Sequence, residues 1–234
     1  MINKTQDNMI QTFKADLYDG HLIFDNEGQK VLVDTGSPVT ISRNGHFDFM
    51  GQDYNCLTSF GDNDINAISE LMGYNIDVLM GMNMIEKYCL LIDYRKEVVA
   101  FSMENIPFEP RCSTPIIQGQ MGEICITLMI NGQKINFALD TGARISYIDQ
   151  SFTTGKNKIE TKNDFNPLVG QFQTPIYAME AAIDEYTFPV NFGVLPAMLA
   201  MPLKMIGIYG AIGFDLFNSF VVLLDFKTNT LSIK

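Results

Sequence analysis

Histidine and positive charge are both scarce in this chain. His21 and His46 are the only histidines, and no pair of them has the spacing of a zinc site. A histidine-activated serine or cysteine nucleophile would need a meeting through the fold that no spacing indicates. Lys and Arg total 16 against 27 Asp and Glu, for a net charge of −11. That balance argues against a nucleic-acid binder, which needs a basic patch. Cysteine is sparse as well. Cys56, Cys89, Cys112 and Cys125 fall at irregular intervals and are expected to be small buried apolar residues kept reduced. No apolar run reaches the roughly 18 residues of a membrane span, so no membrane partner is expected. The stretch Met1 to Asn8 lacks the apolar centre of a secretory leader. The expected location is therefore cytoplasmic, or secreted or periplasmic if a leader has been removed. There is no glycine-rich phosphate loop and no low-complexity segment, and neither a cofactor nor a metal is expected.

What the chain does contain is the triplet Asp-Thr-Gly twice, each copy ending an apolar run. The first is Val31-Leu32-Val33-Asp34-Thr35-Gly36-Ser37 and the second Phe137-Ala138-Leu139-Asp140-Thr141-Gly142-Ala143. One such triplet is expected by chance in about 0.05 of chains this long, and two in far fewer. Each copy follows a Gly-Gln-Lys turn, at Gly28-Gln29-Lys30 and Gly132-Gln133-Lys134. Asn131-Gly132 is a strong hairpin signal. Ile135, Phe137 and Leu139 alternate with Asn136 and Ala138, the period of a half-buried strand.

A second matched block lies downstream, where Leu79-Met80-Gly81-Met82-Asn83 aligns with Ala211-Ile212-Gly213-Phe214-Asp215. From there the halves align without gaps through Leu91-Ile92-Asp93 and Leu223-Leu224-Asp225. Each glycine suits a place where two backbones pass too closely for a side chain. The triplets are offset by 140 − 34 = 106 and the downstream glycines by 213 − 81 = 132, so the second half carries 26 extra residues between them. Short strands between turn signals predict a mostly β chain, with one helix over Asp64 to Met72. The least regular stretch, Met103 to Gly122, separates the copies, and a boundary is expected at 108/109. The 47% apolar content is ample for a core.

A carboxylate delivered twice by buried strands suggests two carboxyl groups face to face. Such a pair shares one proton, because two charges so close cannot both persist cheaply, and it can activate water. For either triplet alone, a simple turn is the competing reading.

The residues also carry a family resemblance. Asp34-Thr35-Gly36-Ser37-Pro38-Val39-Thr40 and Asp140-Thr141-Gly142-Ala143-Arg144-Ile145-Ser146, each followed by an apolar-apolar-Gly block, resemble the aspartic proteases of the retroviral and pepsin type. The resemblance implies an all-β bilobal acid-protease fold with a pseudo-two-fold axis. It reads as two retroviral-type units in one chain, 1–108 and 109–234, working as a monomer. It implies an aspartic endopeptidase acting on a peptide or protein, with Asp34 and Asp140 as catalytic pair. Thr35, Gly36, Ser37, Thr141, Gly142 and Ala143 would support the active-site loops, the threonines by bonding across to the opposite loop. A catalytically silent peptide-binding or scaffold module is the alternative.

Four finer expectations follow. Ser37 should donate a hydrogen bond to Asp34, making it the more readily ionised aspartate, while Ala143 cannot do so for Asp140. Arg144 and Asp215 should form an ion pair. The N-terminal surplus strand should join Leu231-Ser232-Ile233. Lastly, the 26 extra residues should supply one substrate-binding flap around Asn166 to Tyr177, with Gly170, Phe172 and Tyr177 as candidate contacts, supported by a hairpin at Ala181 to Val190. The first half, at Tyr54 to Asp64, should have only a short loop.

Overall fold

The computed structural model describes residues 10–119, 122–166 and 169–234. Met1 to Asn8, and Pro167 and Leu168 of the expected flap, lie outside the described residues.

The first half opens with the antiparallel strands β1 (Gln11–Tyr18), β2 (His21–Asn26) and β3 (Gln29–Val33). Both turns between them place two residues at positive φ, Asp19-Gly20 and Glu27-Gly28, as tight hairpins require. β2 and β3 are buried on both faces. Leu22, Phe24, Val31 and Val33 enter the main core, and Ile23 and Leu32 enter a second cluster with Ile41, Ile65 and Leu79. After the first triplet come β4 (Ile41–Ser42), the hairpin β5 (His46–Phe49) and β6 (Gln52–Asn55), and the hairpin β7 (Ser59–Phe60) and β8 (Asn63–Asp64). Helix α1 (Ile65–Met72) follows, as expected; Asp64 caps its first turn by accepting from Ala67 N, and Gly73 ends it in a left-handed conformation. The half closes with β9 (Val78–Met80), α2 (Met82–Ile85), β10 (Cys89–Asp93) and β11 (Val98–Ser102).

Tyr54 to Asp64 is therefore more than a short loop. It holds the end of one hairpin and the whole of another, and Phe47 and Phe49 pin the first hairpin into an aromatic core with Phe24, Tyr88 and Phe101.

The second half repeats the plan. β12 (Cys112–Pro115) and β13 (Ile117–Gln118) lie inside the stretch expected to be irregular, and the expected 108/109 boundary falls between β11 and β12. Then come β14 (Ile124–Ile130), β15 (Gln133–Leu139), β16 (Tyr147–Ile148) and a single helical turn at Gln150–Thr153. The extra residues build the long hairpin β17 (Glu160–Asn166) and β18 (Gly170–Ile183), and β19 (Tyr186–Val194) pairs back along β18. Helix α3 (Ala197–Met205), β20 (Ile208–Ile212), α4 (Phe214–Ser219), β21 (Val222–Asp225) and β22 (Thr230–Ile233) complete the chain.

In each half the strand before the triplet runs parallel to the later strand that leads into the matched glycine, Gly81 or Gly213: β3 beside β9, and β15 beside β20. The strand after the triplet runs antiparallel to the same partner, β4 on β9 and β16 on β20. The chain thus crosses itself once per half, and each crossing holds an Asp-Thr-Gly loop. The halves are joined by one sheet with the order β12-β22-β21-β10-β11-β1. This all-β, bilobal arrangement with pseudo-two-fold symmetry is the acid-protease fold.

The strand beside Leu231 to Ile233 is not the N-terminal one. β12 pairs with β22, with Cys112 opposite Ile233, while β1 pairs with β11, with Gln11 opposite Phe101. Each half supplies the outer strand for its own closing hairpin, and in each half that strand is the first one in the chain. Cys89 and Cys125 are buried, as expected, whereas Cys56 and Cys112 are only half-buried. Among the described residues no helix is long and apolar enough to cross a membrane.

Candidate active site

Both triplets sit on turns locked to the crossing strands. Asp34 N donates to Met80 O at 3.0 Å, and Asp140 N donates to Ile212 O at 2.9 Å. The turns close through Ser37 N to Asp34 O and Ala143 N to Asp140 O. The downstream glycines make the close approach possible. A Cβ on Gly81 would lie 2.2 Å from Val39 O, and one on Gly213 would lie 2.2 Å from Ala143 O. No side chain fits at either position.

The two loops meet through their threonines. Thr35 N donates to Thr141 Oγ1 at 2.9 Å, and Thr141 N donates to Thr35 Oγ1 at 3.0 Å. Thr35 Oγ1 donates to Leu139 O at 2.8 Å, and Thr141 Oγ1 donates to Val33 O at 2.7 Å. Both threonines are buried. Each hydroxyl thus satisfies one donor and one acceptor of the opposite loop, so neither loop can shift without stranding buried polar groups.

This grip sets the two carboxyl groups close enough for each to influence the ionisation of the other. Gly36 and Gly142 leave room for it. A Cβ on Gly36 would lie 2.5 Å from the Asp140 carboxyl, and one on Gly142 would lie 2.7 Å from Asp34 Oδ1. Each aspartate keeps some surface open to solvent, although protein atoms crowd it on every other side. Burial raises the pKa of Asp34, opposed by backbone hydrogen bonds from Gly36 and Ser37. Burial, followed by the charge of Asp34, pushes Asp140 up to about 7.

The pair is not symmetric in its donors. Asp34 Oδ1 accepts from Gly36 N at 2.9 Å and Ser37 N at 3.2 Å, whereas Asp140 Oδ1 accepts from Gly142 N at 2.9 Å. The Ser37 hydroxyl does not take part, contrary to expectation. It donates to Val39 O at 2.8 Å, because the turn points it back along its own chain. The asymmetry comes from backbone amides instead.

A further layer supports both loops, and of its residues the sequence reading gave a role to Asp215 alone. Thr40 Oγ1 donates to Asn83 Oδ1 and accepts from Gly81 N. Ser146 Oγ donates to Asp215 Oδ2 at 2.6 Å and accepts from Gly213 N. The repeat offsets link Thr40 to Ser146 and Asn83 to Asp215, and that was the available signal.

The expected Arg144–Asp215 ion pair is absent. Asp215 is taken by Ser146 Oγ and by Asn191 N at 3.2 Å. Arg144 turns to Asp164 and Asp19. The extra hairpin supplies carboxylate and carbonyl acceptors at the right height, which outcompete a carboxylate already engaged beneath the loop.

The candidate flap residues fall in two places. Gly170, at φ 73°, begins β18 beside the hairpin tip. Phe172 lies opposite Asp164 and packs against the Tyr147 ring, 6.2 Å between centroids, beside Ile145 and Ile176. Tyr177 lies beyond the β17–β18 ladder, opposite Phe192 on β19, packed against the main core. The expected supporting hairpin is formed by β18 and β19, with Ala181 opposite Phe188.

No protein-family model matches the chain, and no curated protein does either. Among solved structures, the chain is similar to the crystal structure of a retropepsin-like aspartic protease from Rickettsia conorii. The identity is 16% and the TM-score 0.38, over 54% of this chain and 96% of that one.

Proposed function

We propose that the chain is an aspartic endopeptidase that works as a single chain, with Asp34 and Asp140 as its catalytic pair and one lobe from each of 1–108 and 109–234. The observation that carries this reading is the reciprocal threonine grip at the meeting of the two halves, which sets each carboxyl group against the glycine of the opposite loop and beside its counterpart.

Two carboxylates ~3 Å apart cannot both stay charged, so the pair holds one proton. Asp34, with two backbone donors, is the ionised member, and Asp140 keeps the proton. Ionised Asp34 takes a proton from a water held between the carboxyls as that water attacks the peptide carbonyl. Asp140 donates its proton to the carbonyl oxygen, giving a neutral diol; as the C–N bond breaks, the proton taken by Asp34 goes to the leaving nitrogen and one diol hydroxyl returns a proton to Asp140, which restores the pair. No covalent intermediate forms. Gly36 and Gly142 leave space for the substrate backbone, and the β17–β18 hairpin, with Gly170 and Phe172, lies over the peptide and excludes water. Tyr177 is better placed to support the hairpin than to touch substrate, given its packing on the core.

The test is a peptide-library cleavage assay across pH with Asp34→Asn and Asp140→Asn. Each single substitution should abolish cleavage in a folded protein, and the double variant should be no worse, because the two groups act as one unit. Near-wild-type turnover by either folded single variant overturns the assignment. Peptide binding without cleavage by the unaltered protein would favour a scaffold module.

A further inference from the structure

Arg144 follows the second triplet on the same loop, and its guanidinium spends every nitrogen on a different acceptor. Nε donates to Asp164 Oδ1 at 3.0 Å, Nη1 to Asp19 Oδ2 at 2.6 Å, and Nη2 to the Asn163 carbonyl at 2.5 Å. Asn163 and Asp164 belong to β17, whereas Asp19 belongs to the β1–β2 turn of the other half. The second oxygen of Asp164 accepts from the Tyr147 hydroxyl. That turn also abuts the stem of Arg144, since a Cβ on Gly20 would lie 3.3 Å from Arg144 Cβ. The Asp164 side chain is only 13% exposed and Arg144 31%, so water competes less here than at a surface pair.

The position of β17 gives this cluster its meaning. Among the described residues β17 ends its sheet and is strand-paired with β18 alone, so its own ladder cannot fix its tilt relative to the active-site loop. Side chains must do that. Phe172 on Tyr147 supplies an apolar contact, and the Arg144 fork supplies the direction.

We infer that Arg144 is a positioning residue: it sets the height of the β17–β18 hairpin above the Asp140 loop and ties that hairpin to the opposite lobe through Asp19. Its consequence for peptide binding rests on the protease reading; the mechanical joint does not. A planar fork meeting three acceptors on two elements holds an orientation that a single point charge cannot.

The experiment is amide hydrogen exchange on the full chain, which needs no activity. Arg144→Met keeps the stem and removes the fork, and Asp164→Asn weakens the hairpin arm should the first variant fail to fold. Both should speed exchange within 160–166 and 170–176 by about tenfold, leaving 124–139 and 222–233 unchanged. Arg144→Lys should recover less than half of the lost protection. Unchanged hairpin exchange in the folded variants overturns the inference, and so does full recovery with lysine. Where cleavage is measurable, Arg144→Met should raise KM about tenfold and change kcat by less than about threefold. An inactive wild-type protein with a loosened hairpin in the variants would sink the protease reading and leave the joint standing.

Discussion

Leu91 and Leu223 face each other across the ladder between β10 and β21, and each holds the other's place in the repeat. A pairing of equivalent residues marks where the pseudo-two-fold axis passes through the joining sheet. Thr35 and Thr141 are a second such pair, related by the offset of 106 and bonded reciprocally. The axis therefore runs from the joining sheet to the point between the two aspartates. The symmetry of the site is built into the backbone pairing and does not depend on the aspartates themselves.

Removing one threonine hydroxyl should be costly for stability. Thr35→Val leaves Thr141 N and Leu139 O without partners in a buried setting. At about 1–3 kcal/mol for each of the two stranded groups, the loss should be on the order of 2–6 kcal/mol. That is a large part of the roughly 5–15 kcal/mol that keeps a domain folded. Thr141→Val should cost a similar amount, since it strands Thr35 N and Val33 O. Urea unfolding of both variants checks this, and a loss under about 0.5 kcal/mol would contradict a shared grip.

Stability should fall as pH rises through the range where Asp140 holds its proton. Its folded pKa, about 7, lies above the ordinary carboxylate value. Between pH ~4 and ~7 the folded state therefore binds more protons than the unfolded chain, and the slope of stability with pH is negative. The contribution is fully present below pH ~4 and gone above ~7. Asp140→Asn does not titrate and should lack it. Relative to the variant, the wild-type protein should lose on the order of 2–4 kcal/mol between pH 4 and 8, read from chemical unfolding at several pH values. A wild-type protein that gains on the variant over that range would refute the shared-proton account.

Much of this site was legible in the sequence, because it is built from repetition. The triplets, their flanking strands and the glycines at Gly81 and Gly213 follow from matched positions and from where only glycine fits. Helix α1 was expected over Asp64 to Met72, and Asp64 and Gly73 cap it in the structure. What escaped was partner choice. Arg144 has three acceptors on two different elements of the fold, and a sequence cannot rank them. The Ser37 hydroxyl had a backbone carbonyl two residues away as a competitor. The hairpin β5–β6 was readable in hindsight: His46-Phe47-Asp48-Phe49 alternates, and Met50-Gly51 turns at positive φ. The strand beside Leu231 belongs to the second half itself, and β12, only four residues long, carries too little apolar pattern to announce it.

The pH dependence of cleavage follows from the donor asymmetry. The proposed mechanism requires Asp34 ionised and Asp140 protonated when the water attacks. Activity should therefore rise through the lower ionisation of the pair and fall as the shared proton leaves near pH 7, giving a mildly acidic optimum. Two backbone amides, from Gly36 and Ser37, favour the charge on Asp34, and the Ser37 hydroxyl is committed to Val39 O. Ser37→Ala keeps both amides and removes only that hydroxyl. It should shift the acidic limb of kcat/KM by less than about 0.3 pH units, whereas a hydroxyl bonded to the carboxylate would give a shift nearer to one unit. A profile flat to pH ~9 in the wild-type protein would contradict a pair that shares one proton. A large acidic-limb shift in Ser37→Ala would show that the hydroxyl, and not the backbone, sets which aspartate carries the charge.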